Sequence, residues 1–277
     1  MLVSLQEILA IAEKGGFAVP AMNVYNMETV MGVIAAAEES RAPIIIQSYS
    51  RLFTNEEGYY IAPIILAAAK KATVPVCFHL DHGAGIPEVT RAMRYGATGI
   101  MIDKSTLPME ENIVITKSVV DTCAAIGIGV EGEIGHVGVA ANGDEQTTEF
   151  TTVEEAKTFV EGTGVCALAI AVGTAHGRYK KTPTLGIERI AEIHAATNVH
   201  LVLHGGSGVP DDQIKDAIKA GIRKINFGTD LCYSFLDQVF ATSRDKIAID
   251  LFMKDAIENV KKFAKSKIQL LGAENRV

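Results

Sequence analysis

Three histidines in this chain are each followed by glycine: His82 in LDHG, His176 in GTAHG and His204 in LHGGSG. Each sits at or just past the end of a short apolar run. Neutral imidazole is a good ligand for Zn²⁺, and three of them with a position left open for substrate is the make-up of a catalytic zinc site. Carboxylates end the neighbouring runs: Asp81 beside His82, Asp103 in TGIMID, Glu131 and Glu133 in GIGVEGE. A lone histidine at a strand end is more often a satisfied polar residue than a ligand. Three with the same HG signature are harder to explain that way. His79 shares a face with Asp81 by the strand period of two and reads as a buried, hydrogen-bonded support. His136, His194 and His200 read as structural.

These residues are far apart in sequence, so their chemistry exists only if the fold brings the run ends to one rim. Eight apolar runs occur: FAVPAMNV (17–24), PIIIQS (43–48), PVCFHL (75–80), TGIMID (98–103), GIGVEGE (127–133), CALAIAV (166–172), HLVLHG (200–205) and KINFG (224–228). Several are apolar on both faces, as strands buried between helices and a barrel interior must be. Amphipathic stretches alternate with them: METVMGVIAAAEES (27–40), EEGYYIAPIILAAAKK (56–71), GIERIAEIHAAT (186–197) and VPDDQIKDAIKAG (209–221). The last carries Pro210 and acids at its start and Gly221 at its end, a helix with both stop signals in place. Eight strand–helix alternations predict an α/β chain folded as one (β/α)₈ TIM barrel domain over 1–277, with a long C-terminal helical region from about 229. A doubly wound sheet is the alternative, but no GxGxxG follows the first run.

In such a barrel, chemistry belongs to the C-terminal ends of the strands, and the loops after strands seven and eight hold phosphate. Here those loops are GGSG (205–208) and INFGTD (225–230). Glycine lets backbone N–H groups come close to a phosphate, and Ser207, Thr229 and Asn226 add side-chain donors. Lys180 and Lys181, in GRYKKTP, offer positive charge nearby.

The net charge is −7 and the pI about 5.5, with no clustered Lys/Arg stretch. That argues against a nucleic-acid or membrane surface but leaves room for a phosphorylated small molecule. No apolar run reaches the roughly 20 residues of a membrane span. MLVSLQEILAIAEKGG lacks the basic start and cleavage site of a signal peptide. Cys77, Cys123, Cys166 and Cys232 show no CxxC spacing and read as reduced thiols of a cytoplasmic protein.

Together, LDHG, GTAHG and LHGGSG in this order resemble the class II, metal-dependent ketose-bisphosphate aldolases. So do INFGTD, MNVYN (22–26), MID (101–103) and the ending SKIQLLGAENRV. The likeness runs along essentially the whole chain. It implies a lyase using Zn²⁺ and dihydroxyacetone phosphate chemistry, with His82, His176 and His204 as zinc ligands and Asp81 as the acid/base at the C4 oxygen. It implies that Asn23, Gly177, Gly205, Ser207, Asn226, Gly228 and Thr229 surround the substrate and its C1 phosphate. Asp103 and Glu133 orient the histidines or hold the metal in an alternative position. The resemblance further implies a second acid/base for C3 on the loop after strand five, AANGDEQTTEF (140–150), where Glu145 is favoured over Glu149. A monovalent cation (Na⁺ or K⁺) near the phosphate and a homodimer or homotetramer follow from the same likeness.

Departures from the family pattern fall at the far end of the substrate. Strand four continues as MIDKS, placing Lys104 where relatives have glycine. The loop after strand two reads QSYSRLF, with Ser48, Tyr49 and Ser50 around the position of a family serine or threonine. ATSRDKIAIDLF (241–252) lacks the proline of the family's distal-phosphate segment, leaving Arg244 as its only arginine. The expected reaction is reversible cleavage of a ketose 1,6-bisphosphate, of fructose or tagatose type, to dihydroxyacetone phosphate and glyceraldehyde 3-phosphate. A dihydroxyacetone-phosphate aldolase acting on a ketose 1-phosphate or other non-bisphosphate is the alternative within the class. A metal-dependent sugar-phosphate isomerase or epimerase is the alternative outside it, and a non-catalytic binding protein is disfavoured.

Overall fold

The computed structural model describes residues 1–135, 137, 150–177 and 179–277. Among these, eight parallel strands pair in sequence order and close on themselves. They are β1 (Val19–Asn23), β2 (Ile44–Tyr49), β3 (Val76–Gly83), β4 (Gly99–Ile102), β5 (Gly129–Ile134), β6 (Ala167–Ile170), β7 (His200–Leu203) and β8 (Ile222–Phe227). The register Ala21↔Asn226 joins the last strand to the first. Each of the eight apolar runs overlaps one strand, so the (β/α)₈ barrel expected from the sequence is present. Helix α1 (Leu5–Gly15) precedes the barrel, and α2 (Met27–Glu39) follows β1. After β2 come α3 (Arg51–Thr54) and α4 (Glu57–Lys71). One helix then follows each strand: α5 (Ile86–Arg94), α6 (Met109–Ala124), α7 (Val153–Thr163), α8 (Ile187–Ala196) and α9 (Asp211–Ala220). Two follow β8, α10 (Thr229–Ala241) and α11 (Ile249–Leu270).

Local sequence sets the helix ends. Ser4 and Glu7 form a capping box on α1, Ser4 Oγ accepting from Glu7 N at 3.2 Å and Glu7 Oε2 accepting from Ser4 N at 2.8 Å. Thr152 and Glu155 repeat it on α7. Pro210 immediately precedes α9, as its sequence requires. The C-terminal region is helical, as expected, in two segments. Residues 242–248 separate α10 from α11, where the Ser243 hydroxyl accepts from Asp245 N at 3.2 Å and offers the backbone a turn in place of the helical ladder.

Helix α11 buries Ala256, Val260, Ala264 and Ile268, one face at a spacing of four, and packs against α2. The contact is close because residue 32 is glycine. A Cβ there would lie 2.7 Å from Val260 Cγ1 and 2.8 Å from the Ile257 carbonyl oxygen. The backbone oxygen cannot swing aside. Alanine gains about 1 kcal/mol of helix propensity, and overpacking costs about 1–3 kcal/mol. Gly32→Ala is therefore expected to lose up to about 2 kcal/mol net, read as a lower denaturant midpoint at unchanged m-value. Glu39 on α2 clasps Lys261 and Lys265 across the same contact. Among the described helices, none is long and apolar enough to cross a membrane.

Candidate active site and metal centre

The C-terminal ends of β3, β5 and β7 meet at one mouth. On β3, period-two alternation puts His79 and Asp81 on the same face and should send His82 to the other. The backbone prevents this. The β3–β4 register shifts between Leu80 and Gly83, and His82 adopts φ +48°. This bulge with a left-handed residue costs about 1–2 kcal/mol, and it turns His82 into the mouth beside Asp81. On β5, Glu131 and Glu133 are two apart and share the inward face, both buried. They flank His204, which follows β7: Glu131 Oε1 lies 2.8 Å from its Nε2 and Glu133 Oε2 lies 3.0 Å from its Nδ1.

The three histidines come together. Ring centroids of His82 and His176 are 4.9 Å apart, those of His82 and His204 4.7 Å, and those of His176 and His204 5.8 Å. One ring nitrogen from each lies within 4.8 Å of the others. His82, Asp103 and Glu133 form a second such group, which fits the expected alternative metal position. The donor atoms also pass a stricter test. Asp103 Oδ2 sits 2.8 Å from His82 Nδ1, which fixes that nitrogen as the protonated one and leaves Nε2 a bare lone pair. His82 Nε2, His204 Nδ1 and Glu133 Oε2 are buried with no hydrogen-bond partner among the described residues. Although His204 Nδ1 and Glu133 Oε2 are 3.0 Å apart, they are not aligned for a hydrogen bond. Buried polar atoms left this way are costly, and a cation held by His82 and His204 would satisfy the two imidazole nitrogens.

Charge points the same way. Asp81, Asp103, Glu131 and Glu133 converge on the mouth, with buried Lys224 opposing them. Burial alone would push His204 down, but its contacts with Glu131 and Glu133 raise it to about 10. Burial likewise opposes His82, which Asp81 and Asp103 raise. Burial, together with the neighbouring His82 and His204, lowers His176 to about 4 and keeps it neutral. The carboxylates therefore draw in positive charge, as protons or as a metal cation.

Asp81 is 3 % exposed and held by two amides: Asn23 Nδ2 donates to Oδ2 at 2.7 Å and Asn226 Nδ2 to Oδ1 at 3.2 Å. Behind them, Gln47 Nε2 donates to Asn23 Oδ1 at 2.9 Å and Lys224 Nζ to Asn226 Oδ1 at 2.7 Å. Lys224 also pairs with Glu131 Oε2 at 2.9 Å. Burial pushes the Asp81 carboxyl up, but His82, His204, Lys224 and the Asn23 bond together hold it below its usual value. The result is an ionised, oriented carboxylate next to the imidazoles, the state a proton acceptor needs.

A cavity of about 310 Å³ joins this carboxylate and His82, Asp103 and His176 to Asn23, Gly177, Gly205, Ser207, Asn226, Gly228 and Thr229. Gly205 has φ +65°, and a Cβ on it would lie 2.4 Å from the Ala175 carbonyl oxygen. Only glycine lets the loops after β6 and β7 approach so closely. Tyr179 ties them: its hydroxyl accepts from Ala175 N at 2.8 Å and donates to the Gly205 carbonyl at 2.9 Å. Tyr179→Phe removes both bonds at about 1–1.5 kcal/mol each. Binding in this cavity should weaken about 10- to 30-fold, read as KM in steady-state kinetics, with kcat within about threefold.

Other expected residues lie elsewhere. Lys180 and Arg244 are exposed and do not line this cavity. Lys104 turns its ammonium to the Ala84 carbonyl. His79 is buried and neutral, lowered to about 3 chiefly by desolvation. Its expected hydrogen bond is missing among the described residues, the Glu131 carboxylate standing 3.4 Å away. His194 and His200 face Glu13, at 3.7 and 3.6 Å. His136, Glu145 and Glu149 lie outside the described residues. Asn226 lines the cavity, where its amide donates to Asp81 and accepts from Lys224. The sequence reading assigned no role to Lys224, Arg51 or Tyr25. A lysine inside the apolar run KINFG was a legible signal for the first; Arg51 and Tyr25 carried none.

The chain matches the family model described as fructose-bisphosphate aldolase class-II over residues 3–276. Among solved structures, it resembles the YdjI aldolase from Escherichia coli K12 at 35% identity and a TM-score of 0.91, covering 100% of this chain and 99% of that one. It resembles a putative fructose-1,6-bisphosphate aldolase from Coccidioides immitis at 27% identity and a TM-score of 0.90, covering 98% and 97%. The fructose-bisphosphate aldolase of Campylobacter jejuni shares the fold, at 22% identity and a TM-score of 0.84 over 100% and 97% of the two chains. With a match spanning nearly every residue, the chain belongs to the class II fructose-bisphosphate aldolase family and is a lyase.

Proposed function

We propose that the protein reversibly cleaves a ketose 1,6-bisphosphate, of fructose or tagatose type, into dihydroxyacetone phosphate and glyceraldehyde 3-phosphate. The observation that carries this reading is the convergence of three imidazoles, an ionised Asp81 and a glycine-rich cradle in one cavity. His82, His176 and His204 would hold Zn²⁺, which supplies Lewis-acid stabilisation of the charge that develops when the C3–C4 bond breaks. Asp81 takes the proton from the C4 hydroxyl, and the bonds from Asn23 and Asn226 keep its carboxylate in place for that transfer. Gly177, Gly205, Ser207, Gly228 and Thr229 hold the C1 phosphate. There Ser207 Oγ accepts from Asp230 N at 3.2 Å, leaving its own proton to donate. The C3 carbon needs a second acid/base, assigned by sequence to Glu145.

A second reading has one observation in its favour. Arg244, the sequence's candidate for the distal phosphate, is exposed and away from the cavity. A ketose 1-phosphate cleaved to an aldehyde without a phosphate fits that placement. The exposed apolar side chains Phe240, Ile247 and Ile249, at 81%, 91% and 73%, support a homo-oligomer that covers them.

The test is a coupled assay for dihydroxyacetone phosphate release, run with and without EDTA. Fructose 1,6-bisphosphate, tagatose 1,6-bisphosphate and a ketose 1-phosphate are compared side by side. Chelator-sensitive cleavage of a bisphosphate is the expected result. Cleavage of the monophosphate alone selects the second reading, and cleavage of none counts against both.

A further inference from the structure

The cavity contains a cation that none of the assignments above employs. Among the described residues lining it, Arg51 is the one lysine or arginine. It starts α3, just past β2. Its guanidinium carbon lies 5.4 Å from the centre of the Tyr25 ring and 5.1 Å from that of Tyr49. Tyr49 in turn stands 5.8 Å, ring to ring, from His82. Two aromatic faces therefore hold the guanidinium near the histidine cluster. Among the described residues no carboxylate or carbonyl engages it, whereas Arg223, Arg189, Arg91 and Arg276 are each paired. An arginine fixed by stacking, with no partner for its five N–H donors among the described residues and facing a cavity, is built to receive a planar or tetrahedral anion.

Its place in the barrel says which part of the substrate it meets, given the aldolase reading on which this step rests. The C1 phosphate lies at the loops after β7 and β8. The C4 oxygen lies at Asp81 on β3. Tyr49 is the register partner of Asp81 on β2. A sugar chain laid from the phosphate cradle to Asp81 continues past C4 toward Tyr49 and Arg51. We propose that Arg51 recognises an anionic group, phosphate or carboxylate, on the aldehyde half of the substrate, with Tyr25 and Tyr49 as the walls that orient it. Arg51 is then the specificity-determining residue for the aldehyde, on a loop distinct from the one that carries Arg244.

The test runs the zinc-loaded protein in the condensation direction with dihydroxyacetone phosphate and three three-carbon aldehydes. These are neutral glyceraldehyde, glyceraldehyde 3-phosphate and the carboxylated tartronate semialdehyde. The readout is the ratio of kcat/KM for each charged aldehyde to that for glyceraldehyde, in wild type, Arg51→Ala and Arg51→Lys. Wild type should prefer one or both charged aldehydes, and which one identifies the anion. Arg51→Ala should collapse that ratio by about 100-fold, and Arg51→Lys should restore part of it. A merely structural role would lower all three rates together and leave the ratio alone. A wild type without charge preference, a ratio that survives Arg51→Ala, or a loss confined to the KM of dihydroxyacetone phosphate would each overturn the assignment. A parallel measurement separates this failure from failure of the aldolase reading itself: solvent-deuterium exchange into C3 of dihydroxyacetone phosphate, with no aldehyde present. Exchange with an unchanged ratio removes Arg51 alone. No exchange removes the aldolase reading and this assignment with it.

Discussion

Asp81→Asn lowers the rate of ketose cleavage by about 10²- to 10⁴-fold, the usual weight of one general acid/base, while zinc stays bound. The reason is local. Asp81 is not among the three histidines that converge, and it lies 4.0 Å from His82 Nε2, beside the metal position and not in it. Both its oxygens accept amide protons, from Asn23 and Asn226. Asparagine has the same shape but one acceptor oxygen, so one of those amides then faces an NH₂ group and loses its bond. The cost to stability is about 1–3 kcal/mol, small beside the effect on turnover. The proposed role makes a finer prediction as well. Asp81 handles the proton on the C4 oxygen, and dihydroxyacetone phosphate alone has no C4. Exchange of its C3 proton should therefore survive in Asp81→Asn far better than cleavage does. Equal loss of exchange and cleavage would move Asp81 to C3 and contradict the assignment.

His204→Ala removes zinc and activity together. His204 lies between Glu131 and Glu133, fully buried, and the substitution leaves Glu131 with Lys224 and Glu133 with the Val137 N–H. Breaking such a cluster costs about 3–5 kcal/mol of stability, so a thermal melt should accompany the zinc analysis. Asp103→Asn is the graded comparison. It keeps all three imidazoles and disturbs only the group that orients His82, which costs about 10- to 100-fold in metal affinity. Zinc affinity should also fall with acid. His204, raised to about 10 without metal, must give up its proton to bind it, so lower pH favours the proton and higher pH the metal. Stoichiometric zinc retained by His204→Ala would remove it from the ligand set.

The strands were legible because their side chains obey one strong rule. A strand buried on both faces reads as a nearly continuous apolar run, and each of the eight apolar runs overlaps a strand. The histidine set was legible for a related reason: strand ends of a closed barrel share a rim however far apart they lie in sequence. What the sequence hid depends on backbone geometry that no periodicity encodes. Nothing in LDHG announces that a bulge turns His82 to the same side as Asp81. Arg51 stood in plain view in QSYSRLF, but only a fold that seats it between Tyr25 and Tyr49 gives it a place in the cavity. Asn226 read as a phosphate donor because its loop is glycine-rich, and nothing in that loop announced the bond its amide gives Asp81. Within the C-terminal helical region the break at 242–248 was not legible; there Ser243 satisfies the backbone from its side chain.

The most direct test of the account needs neither the aldehyde nor the ketose. Zinc-loaded protein is mixed with dihydroxyacetone phosphate in deuterated buffer, and loss of the C3 proton is followed by NMR, with and without chelator. The account predicts exchange of one C3 proton that EDTA abolishes and added Zn²⁺ restores. Zinc-loaded protein that leaves both C3 protons in place would contradict it.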